Sequence, residues 1–574
     1  MLQGVARDLC APPLSSIPES FTSGCEPGAF PFGEVRAPAF QRRRPMFWAR
    51  PVRWPERFRG GCSFGASVRL RTGSPDWVRA TGPTLADVRL GAVDAPDTLA
   101  EPTLAVGTMA ERGVFANRTL NLRSVAAIGY DMDYTLIHYR TEEWEGVAFE
   151  HARRGLAAAG FPVEGLVFEP DRFIQGLVID LDLGHLIKAT RFGYVVKAYH
   201  GTRALSFDEL RTAYAGVVVD LAEPRFEFLN TLFSISEAAL YAQLVDRLDA
   251  GEFTSDEVAR KHGPMGYDEL YRTVIGALDA SHATGALKAE IMADPDRFCV
   301  LDEEIPATLL DQRLAGKRLL LITNSGWPYT QPMMRYAFDG VLATQAPGTT
   351  WRDLFDLVVV AADKPRFFVE TPPAFRMVDT ERGLLEPHYG PYQMGNVYHG
   401  GSAALVEQSF GLSGDEILYV GDHLFGDVHV TKRELHWRTA LILREIEAEI
   451  ADAEAFAADE AVLRQLMGDK RVLEDHLSAL RLAGLKAGTP APEFDQLYAD
   501  IRRLDEQIAP YAIRAGALGN HEWGPLMRAG NDKSLFARQV EKYADVYTSR
   551  VSNLLARTPF AYLRATRTSL PHDL

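Results

Sequence analysis

The chain predicts an α/β fold built on a parallel sheet, and three observations carry that reading. Four short apolar runs occur in order: Val125-Ala126-Ala127-Ile128, Leu319-Leu320-Leu321-Ile322, Leu357-Val358-Val359-Val360 and Ile417-Leu418-Tyr419-Val420, each opening onto a polar or glycine-bearing loop. Runs of that length and continuous apolarity fit strands buried on both faces. Residues 137–315 lie between the first loop and the second run, far too many for a simple crossover, and predict an inserted cap. Residues 444–510 carry apolar side chains at three-four spacing, the mark of helices.

The first run leads into Asp131-Met132-Asp133-Tyr134-Thr135. On an extended backbone, residues two apart face the same way, so Asp131 and Asp133 converge on one point. Carboxylates paired at a strand's carboxyl end suit a divalent cation and phosphoryl transfer, although the same spacing also occurs in solvated turns. The second run leads into Thr323-Asn324-Ser325, short hydroxyl and amide side chains able to donate to phosphate oxygens. The third leads to Asp363-Lys364-Pro365, where Lys364 can bring a point charge to a phosphoryl group and its nucleophile. The fourth leads to Gly421-Asp422-His423-Leu424-Phe425-Gly426-Asp427, where glycine permits close backbone approach and two more carboxylates arrive. Alone, each piece reads equally as a strand-end cap, a surface lysine or a turn; four in this order point to a phosphoryl-transfer site.

Within the insertion, Phe228-Leu229-Asn230-Thr231-Leu232-Phe233, then Ala238-Ala239-Leu240 and Leu244, read as a strand or turn entering a helix. Further on, Leu463, Leu466, Leu473, Leu477 and Leu480 form one stripe, and Phe494, Leu497, Ile501, Leu504 and Ile508 another. Gly484, Gly488, Pro490 and Pro492 part them, so residues 444–510 predict an antiparallel helical hairpin, packed on its parent domain or on a second subunit.

At 574 residues and 63.6 kDa the chain has room for two or three domains. A net charge of -16 argues against a nucleic-acid polymer as partner but not against a small phosphate ester in a local basic pocket. No apolar run approaches the ~18 residues of a membrane span, and no charged head precedes an apolar core at the amino terminus. Residues 1–108 differ from the rest, holding 13 of the 33 prolines, Cys10, Cys25 and Cys62, and no lysine. Their 13 arginines against 10 acidic residues give +3, so -19 falls on the remainder of the -16 total. With no sustained period, this stretch is expected to be disordered, or an over-extended start with Met109 the functional first residue. Cys299 is the one cysteine beyond it, which suits a reducing cytoplasm.

This ordered set resembles the haloacid dehalogenase (HAD) phosphohydrolase superfamily and, within it, the cytosolic purine 5′-nucleotidase family and its bacterial relatives. Longer words extend the likeness over roughly residues 115 to 574: Arg225-Phe226, Leu229-Asn230-Thr231-Leu232-Phe233, Lys364-Pro365 with Phe367-Phe368, Tyr398 with Gly400-Gly401-Ser402, Trp437-Arg438-Thr439, Leu535-Phe536-Ala537, Tyr543-Ala544-Asp545 and Pro571-His572. The resemblance implies a HAD-like Rossmannoid core at 115–136 and 316–443, the cap at 137–315 and a C-terminal segment, 511–574, packed on the core. It implies magnesium-dependent hydrolysis of nucleoside 5′-monophosphates, IMP- or GMP-like, through an aspartyl-phosphate. Asp131 would be the nucleophile and Asp133 the general acid and base. Asp131, the main-chain carbonyl of Asp133 and Asp422 would hold Mg²⁺, with Asp427 in support. Thr323, Asn324, Ser325 and Lys364 would hold the phosphoryl oxygens, and Lys288 would reach towards them. Phe233 would stack on the base, and Asp279 and His282 would bind its edge or the sugar. Core packing for Phe233, a capping or surface role for His282 and a solvated helix position for Lys288 are the ordinary alternatives.

Two positions depart from the family pattern. Ile275 stands where the purine enzymes carry an arginine four residues before the aspartate matched by Asp279, and an apolar side chain cannot donate to a purine carbonyl. Asp220 stands where allosterically regulated members place an arginine against an effector's phosphates, which a carboxylate repels. The rival readings are therefore a phosphatase for another small ester and a non-catalytic scaffold. Loss of Asp131, Asp133, Lys364 or Asp422 would favour the scaffold, and all four are present. A cytoplasmic homo-oligomer is expected.

Overall fold

The computed structural model describes residues 112–253, 265–283, 285–488 and 493–565. The expected disorder of residues 1–108 and the words at Pro490, Pro492, Pro571 and His572 fall outside them.

In chain order the strands that frame the molecule are β1 (Val114–Ala116), β2 (Ala127–Tyr130), β3 (Val178–Asp180), β4 (His185–Ala189), β5 (Val195–His200), β6 (Arg203–Ala204), β7 (Phe226–Phe228), β8 (Arg318–Ile322), β9 (Leu357–Val360), β10 (Ala374–Asp379), β11 (Leu384–His388), β12 (Val397–Gly400), β13 (Ile417–Gly421), β14 (Arg438–Ile442) and β15 (Val546–Thr548). The large sheet has ten strands in the order β1-β15-β14-β13-β2-β8-β9-β12-β10-β11. Every pair from β15 to β12 is parallel, while β1 and the β10–β11 hairpin run antiparallel at the two edges. The four apolar runs are β2, β8, β9 and β13, four successive members of the sheet in the order β13-β2-β8-β9, with β2 between β13 and β8. Helices cover both faces, which is why these strands are apolar throughout rather than alternating. The molecule is thus an α/β fold with its parallel core sheet as expected.

Between β2 and β8 the chain builds a second, five-stranded antiparallel sheet in the order β6-β5-β4-β3-β7. The helices that accompany it include α1 (Thr141–Ala158), α2 (Ile235–Asp249), α3 (Tyr267–Ala283) and α4 (Ala286–Ala293). β4 is buried along its whole length, Lys188 included. The Lys188 ammonium donates to the carbonyls of Trp523 (2.7 Å) and Pro525 (2.6 Å), tying this sheet to the C-terminal segment. Phe228–Phe233 enters α2 through a single short turn at Leu232–Ser234.

Beyond β14 come α5 (Ile446–Ala487) and α6 (Phe494–Gly516). Arg514 pairs with Asp459 and Lys470 with Asp505, so the two helices run antiparallel with a fixed register. Leu497, Ile501 and Ile508 are buried at their contact, as the three-four spacing requires. Gly484, expected to help break the pair, stays helical, and the turn begins at Gly488, whose φ of 72° is the left-handed conformation suited to a helix end. Among the described residues no helix is long and apolar enough to cross a membrane.

The C-terminal segment is fastened through Asp545, whose side chain is fully buried. Its carboxylate accepts two bonds from Lys432 (2.7 Å each) and one from the Thr439 amide (3.0 Å). Its carbonyl accepts from the amides of Asn117 (2.9 Å) and Arg118 (3.0 Å). Asp545→Ala would strand the Lys432 charge, and breaking a buried pair of this kind costs about 3–5 kcal/mol. The expected outcome in urea denaturation is a lowered midpoint at unchanged slope; a midpoint within error of the parent would show that the pair is not what holds the segment.

Candidate active site

The carboxyl ends of β13, β2, β8 and β9 lie side by side, the usual ligand position of an open α/β sheet. Asp131 directly follows β2, and its amide still donates to the Val420 carbonyl (2.9 Å) on β13, so Asp131 and Asp422 emerge from neighbouring strands. After Asp422 the chain makes a wide π-type turn, Leu424–His429, that brings Asp427 back beneath it. A methyl group at Gly421 would collide with the Asp427 carboxylate, so only glycine lets that return happen. Carboxylate oxygens of Asp131, Asp422 and Asp427 come within 4.8 Å of one another, all buried.

One ammonium serves this trio. Lys364 Nζ lies 2.8 Å from Asp131 Oδ1 and 2.8 Å from Asp427 Oδ1, and donates to the Tyr419 hydroxyl at 3.1 Å. Burial alone would lower the Lys364 pKa, but Asp131 and Asp427 outweigh it and hold it well above the ordinary value. Burial pushes Asp131 up to about 7, against the pull of Lys364 and with the help of Asp427 and Asp133. Burial, then the charges of Asp131 and Asp427, raises Asp422 well above the carboxylate range. Three buried carboxylates with one counter-charge form an oxygen donor set short of positive charge, which fits a hard divalent cation. Asp427 is the most committed of the three: Lys364 takes one oxygen and the His423 amide the other (3.2 Å). That leaves it to steady the site from behind, and leaves Asp131 and Asp422 as the better ligands.

Asp133 sits two residues on, with both oxygens occupied. Tyr139 donates to Oδ1 at 2.6 Å and Ser325 to Oδ2 at 2.6 Å. Lys288, from α4, donates to the same Ser325 hydroxyl at 3.0 Å and lies 5.0 Å from the Tyr329 ring centre. Thr323 is fully buried and accepts from the Ser325 amide (3.0 Å), shaping the loop. Asn324 spends both ends of its carboxamide on the Lys364 backbone, accepting from its amide (2.6 Å) and donating to its carbonyl (3.0 Å). Its side chain therefore clasps two loops of the site together, and its second amide N–H is left over at the cavity. Left-handed backbone at Tyr134 (φ 53°), Ala361 (φ 47°) and Asp363 (φ 62°) marks these same loops as held in uncommon conformations.

A cavity of about 460 Å³ opens above the carboxylates, inside the ~300–1,000 Å³ range of small-ligand sites. Its floor is Asp131, Asp133, Ser325, Lys364 and Asp422; Lys288 lies on its wall, and Phe233, Trp144 and Asp279 line its outer part. Phe233 is half-buried, its ring edge-on to Tyr134 (4.7 Å between centres) and to Trp144 (5.6 Å). It thus belongs both to an aromatic cluster and to the cavity wall. Ile275 lies one turn before Asp279 on α3. His282 is in the last turn of α3, and its side chain lies outside the described residues. Sequence reasoning missed Tyr139, Tyr419 and Thr231, the last with its hydroxyl 3.5 Å from Asp422. No local pattern marks them, because each meets its partner across a fold contact or, for Tyr139, across a turn whose course the sequence does not declare.

Residues 114–574 match the family model described as the 5′ nucleotidase family. Among curated proteins, the chain is 27% identical over 481 residues to 5′-nucleotidase domain-containing protein 2 of Homo sapiens, covering 80% of this chain and 85% of that one. It is 25% identical over 479 residues to a 5′-nucleotidase domain-containing protein of Dictyostelium discoideum, covering 82% and 76% respectively. Similar solved structures include an archaeal β-phosphoglucomutase from Pyrococcus, at 12% identity and a TM-score of 0.25, covering 55% of this chain and 86% of that chain.

The acidic trio sets a proton–metal competition that can be read without turnover. Because burial raises Asp131 from 3.8 to about 7, the folded protein holds a proton there that the unfolded chain has released. This contribution to stability is present near pH 4 and is lost as pH rises towards 7 and above. A divalent cation held by the trio would bind its ionised form, so with Mg²⁺ as the probe the melting temperature should rise at pH 8, by roughly 3 °C at 100 times Kd, and far less at pH 5. Asp422→Asn should abolish most of the rise. A rise of equal size at both pH values, or one retained in Asp422→Asn, would remove the trio as the cation site.

Proposed function

The chain belongs to the 5′-nucleotidase family and is a phosphohydrolase; we propose that it is a cytoplasmic, magnesium-dependent phosphomonoesterase acting on nucleoside 5′-monophosphates. The observation that carries this reading is the cavity itself, which runs from the Asp131–Lys364–Asp422 floor to a wall holding Phe233 and Asp279. Phosphate at one end and a heterocycle at the other would span it.

In the proposed reaction Asp131 attacks phosphorus, converting one difficult displacement into two easier ones through an aspartyl-phosphate. Lys364, pinned between Asp131 and Asp427, favours the ionised nucleophile against its burial and orients it. Asp133 gives a proton to the departing 5′-oxygen and then takes one from the attacking water. Lys288, Ser325 and the main chain around Thr323 and Asn324 receive the phosphoryl oxygens as charge spreads over them. Asp131, the Asp133 carbonyl and Asp422 would hold Mg²⁺, which supplies neutralisation of phosphoryl charge, with Asp427 supporting them. Hydrolysis of phosphate monoesters is slow enough unaided that the site must supply roughly 20 kcal/mol, more than any one of these groups can give. The base would rest on Phe233, with Asp279 at its edge. Ile275 supports a second reading, another small phosphate ester, because that position offers a base no hydrogen bond. The exposed side chains of the α5–α6 hairpin, Val472 and Leu485 among them, suit a homo-oligomeric contact.

Phe233→Ala separates these readings. For a nucleotide substrate the lost stacking should raise KM by about 5- to 150-fold, the equivalent of ~1–3 kcal/mol, while p-nitrophenyl phosphate, which does not reach that wall, is scarcely affected. Ile275→Arg should shift preference towards IMP or GMP. The measurement is kcat/KM for IMP, GMP, AMP, UMP and a sugar phosphate in each variant. If Phe233→Ala weakens every ester alike, the ring is part of the aromatic cluster and not a base platform.

A further inference from the structure

Asp133 is the proposed acid and base, yet both of its oxygens already accept hydrogen bonds, and the two donors differ in kind. Ser325 reaches Oδ2 from the cavity floor, and its hydroxyl also accepts from Lys288. Both of those groups face the place a phosphoryl group would take. Tyr139 reaches Oδ1 from behind: it is fully buried and antiparallel-paired to Cys299, and its hydroxyl accepts from that of Tyr329 at 3.1 Å. Burial and the Asp133 charge keep the Tyr139 phenol protonated, so it stays a donor. Tyr329 springs from the first turn of the helix that follows the Thr323–Ser325 loop, so two loops brace the same phenol. Nothing arriving in the cavity competes for Tyr139.

We infer that Tyr139 is the positioning residue of the acid–base carboxylate. It pins Oδ1 throughout the cycle, so that when Ser325 and Lys288 turn to the phosphoryl oxygens, Oδ2 is released facing the ester oxygen. Oδ2 is then the atom that delivers the proton to the leaving group and later receives one from water. Without the phenol, the carboxylate is free to swing about its side-chain torsions and spends most of its time off the line of proton transfer.

This rests on Asp133 being the general acid, and the test separates the two claims through the leaving group. A nucleoside 5′-oxygen needs a proton as it departs, whereas p-nitrophenolate leaves as a stable anion. The quantity to follow is kcat/KM, which reports the first chemical step, with KM and melting temperature recorded alongside. Tyr139→Phe should lower kcat/KM on the preferred nucleotide by about 10- to 100-fold, carried by kcat with KM nearly unchanged, and on p-nitrophenyl phosphate by less than about threefold. Tyr329→Phe, which removes only the outer brace, should show the same contrast at smaller size. Adding Tyr139→Phe to Asp133→Asn should cost little more than Asp133→Asn alone, because the phenol acts through that carboxylate. Equal losses on both esters, or full additivity with Asp133→Asn, would overturn the assignment and leave Tyr139 a core residue. If Asp133→Asn itself shows no leaving-group contrast, the acid–base role of Asp133 fails first, and that of Tyr139 with it.

Discussion

Three buried carboxylates share one ammonium, and the rest of this molecule is arranged around keeping them there. Lys364 touches Asp131 and Asp427 at 2.8 Å each, whereas the Asp422 contacts to Thr135 (3.4 Å) and Thr231 (3.5 Å) are long. Like charges at this separation repel strongly away from water, so they persist only where the scaffold fixes them. The sheet supplies that rigidity. β2 and β13 are neighbours, each strand is buried, and Tyr419 on β13 bonds both Lys364 and the Ile322 carbonyl on β8. The left-handed residues Tyr134, Ala361 and Asp363 are tolerated because packed strands on either side over-determine the loops that carry them.

The insertion closes on the same point. The Asn230 side-chain oxygen Oδ1 accepts from the Phe425 amide (3.2 Å), and Thr231 approaches Asp422, so this loop is docked against the turn between Asp422 and Asp427. Lys188 and Arg172 anchor its far side to the segment at Glu522–Pro525. Phe233 and Lys288 are then carried by elements fixed at both ends, which lets one cavity hold an apolar wall and a charged floor a few ångströms apart.

The parts legible in the sequence are those whose chemistry is local. Each strand–loop pair declared itself because continuous apolarity and a polar strand end lie within ten residues of each other. The helical hairpin declared itself through spacing alone, although Gly484 was read as a break and is helical, since one glycine costs a long packed helix only about 1 kcal/mol. The antiparallel sheet of the insertion was not read, because β3 and β4 are buried on both faces and lack the alternation that marks a half-exposed strand. The type of Asn324 suits a phosphate, but its bonds to the Lys364 backbone, forty residues away, are not legible, because they are set by the parallel pairing of β8 with β9. Tyr139 carried no signal, since a tyrosine after an aspartate loop is ordinary until the turn brings it back.

The charge of the whole chain and the charge of the site pose separate problems. The net -16 is a sum over the whole chain; salt screens exposed charges beyond about 8 Å, so the total neither draws nor bars a small anion from the cavity. Inside, five carboxylates line the cavity with Lys364 and Lys288, formally -3 when all are ionised. Lys364 is already divided between Asp131 and Asp427, and Lys288 is held through Ser325, so neither is a loose cation waiting for an anion. Each unit of repulsion at 4 Å is worth about 4 kcal/mol at an effective dielectric near 20, enough to keep a dianionic ester out. A divalent cation offsets two of those three charges. Under the proposed mechanism it therefore belongs in the site before the ester, and Ser325 can exchange Asp133, and Lys288 can exchange Ser325, for phosphoryl oxygens only after the deficit is reduced.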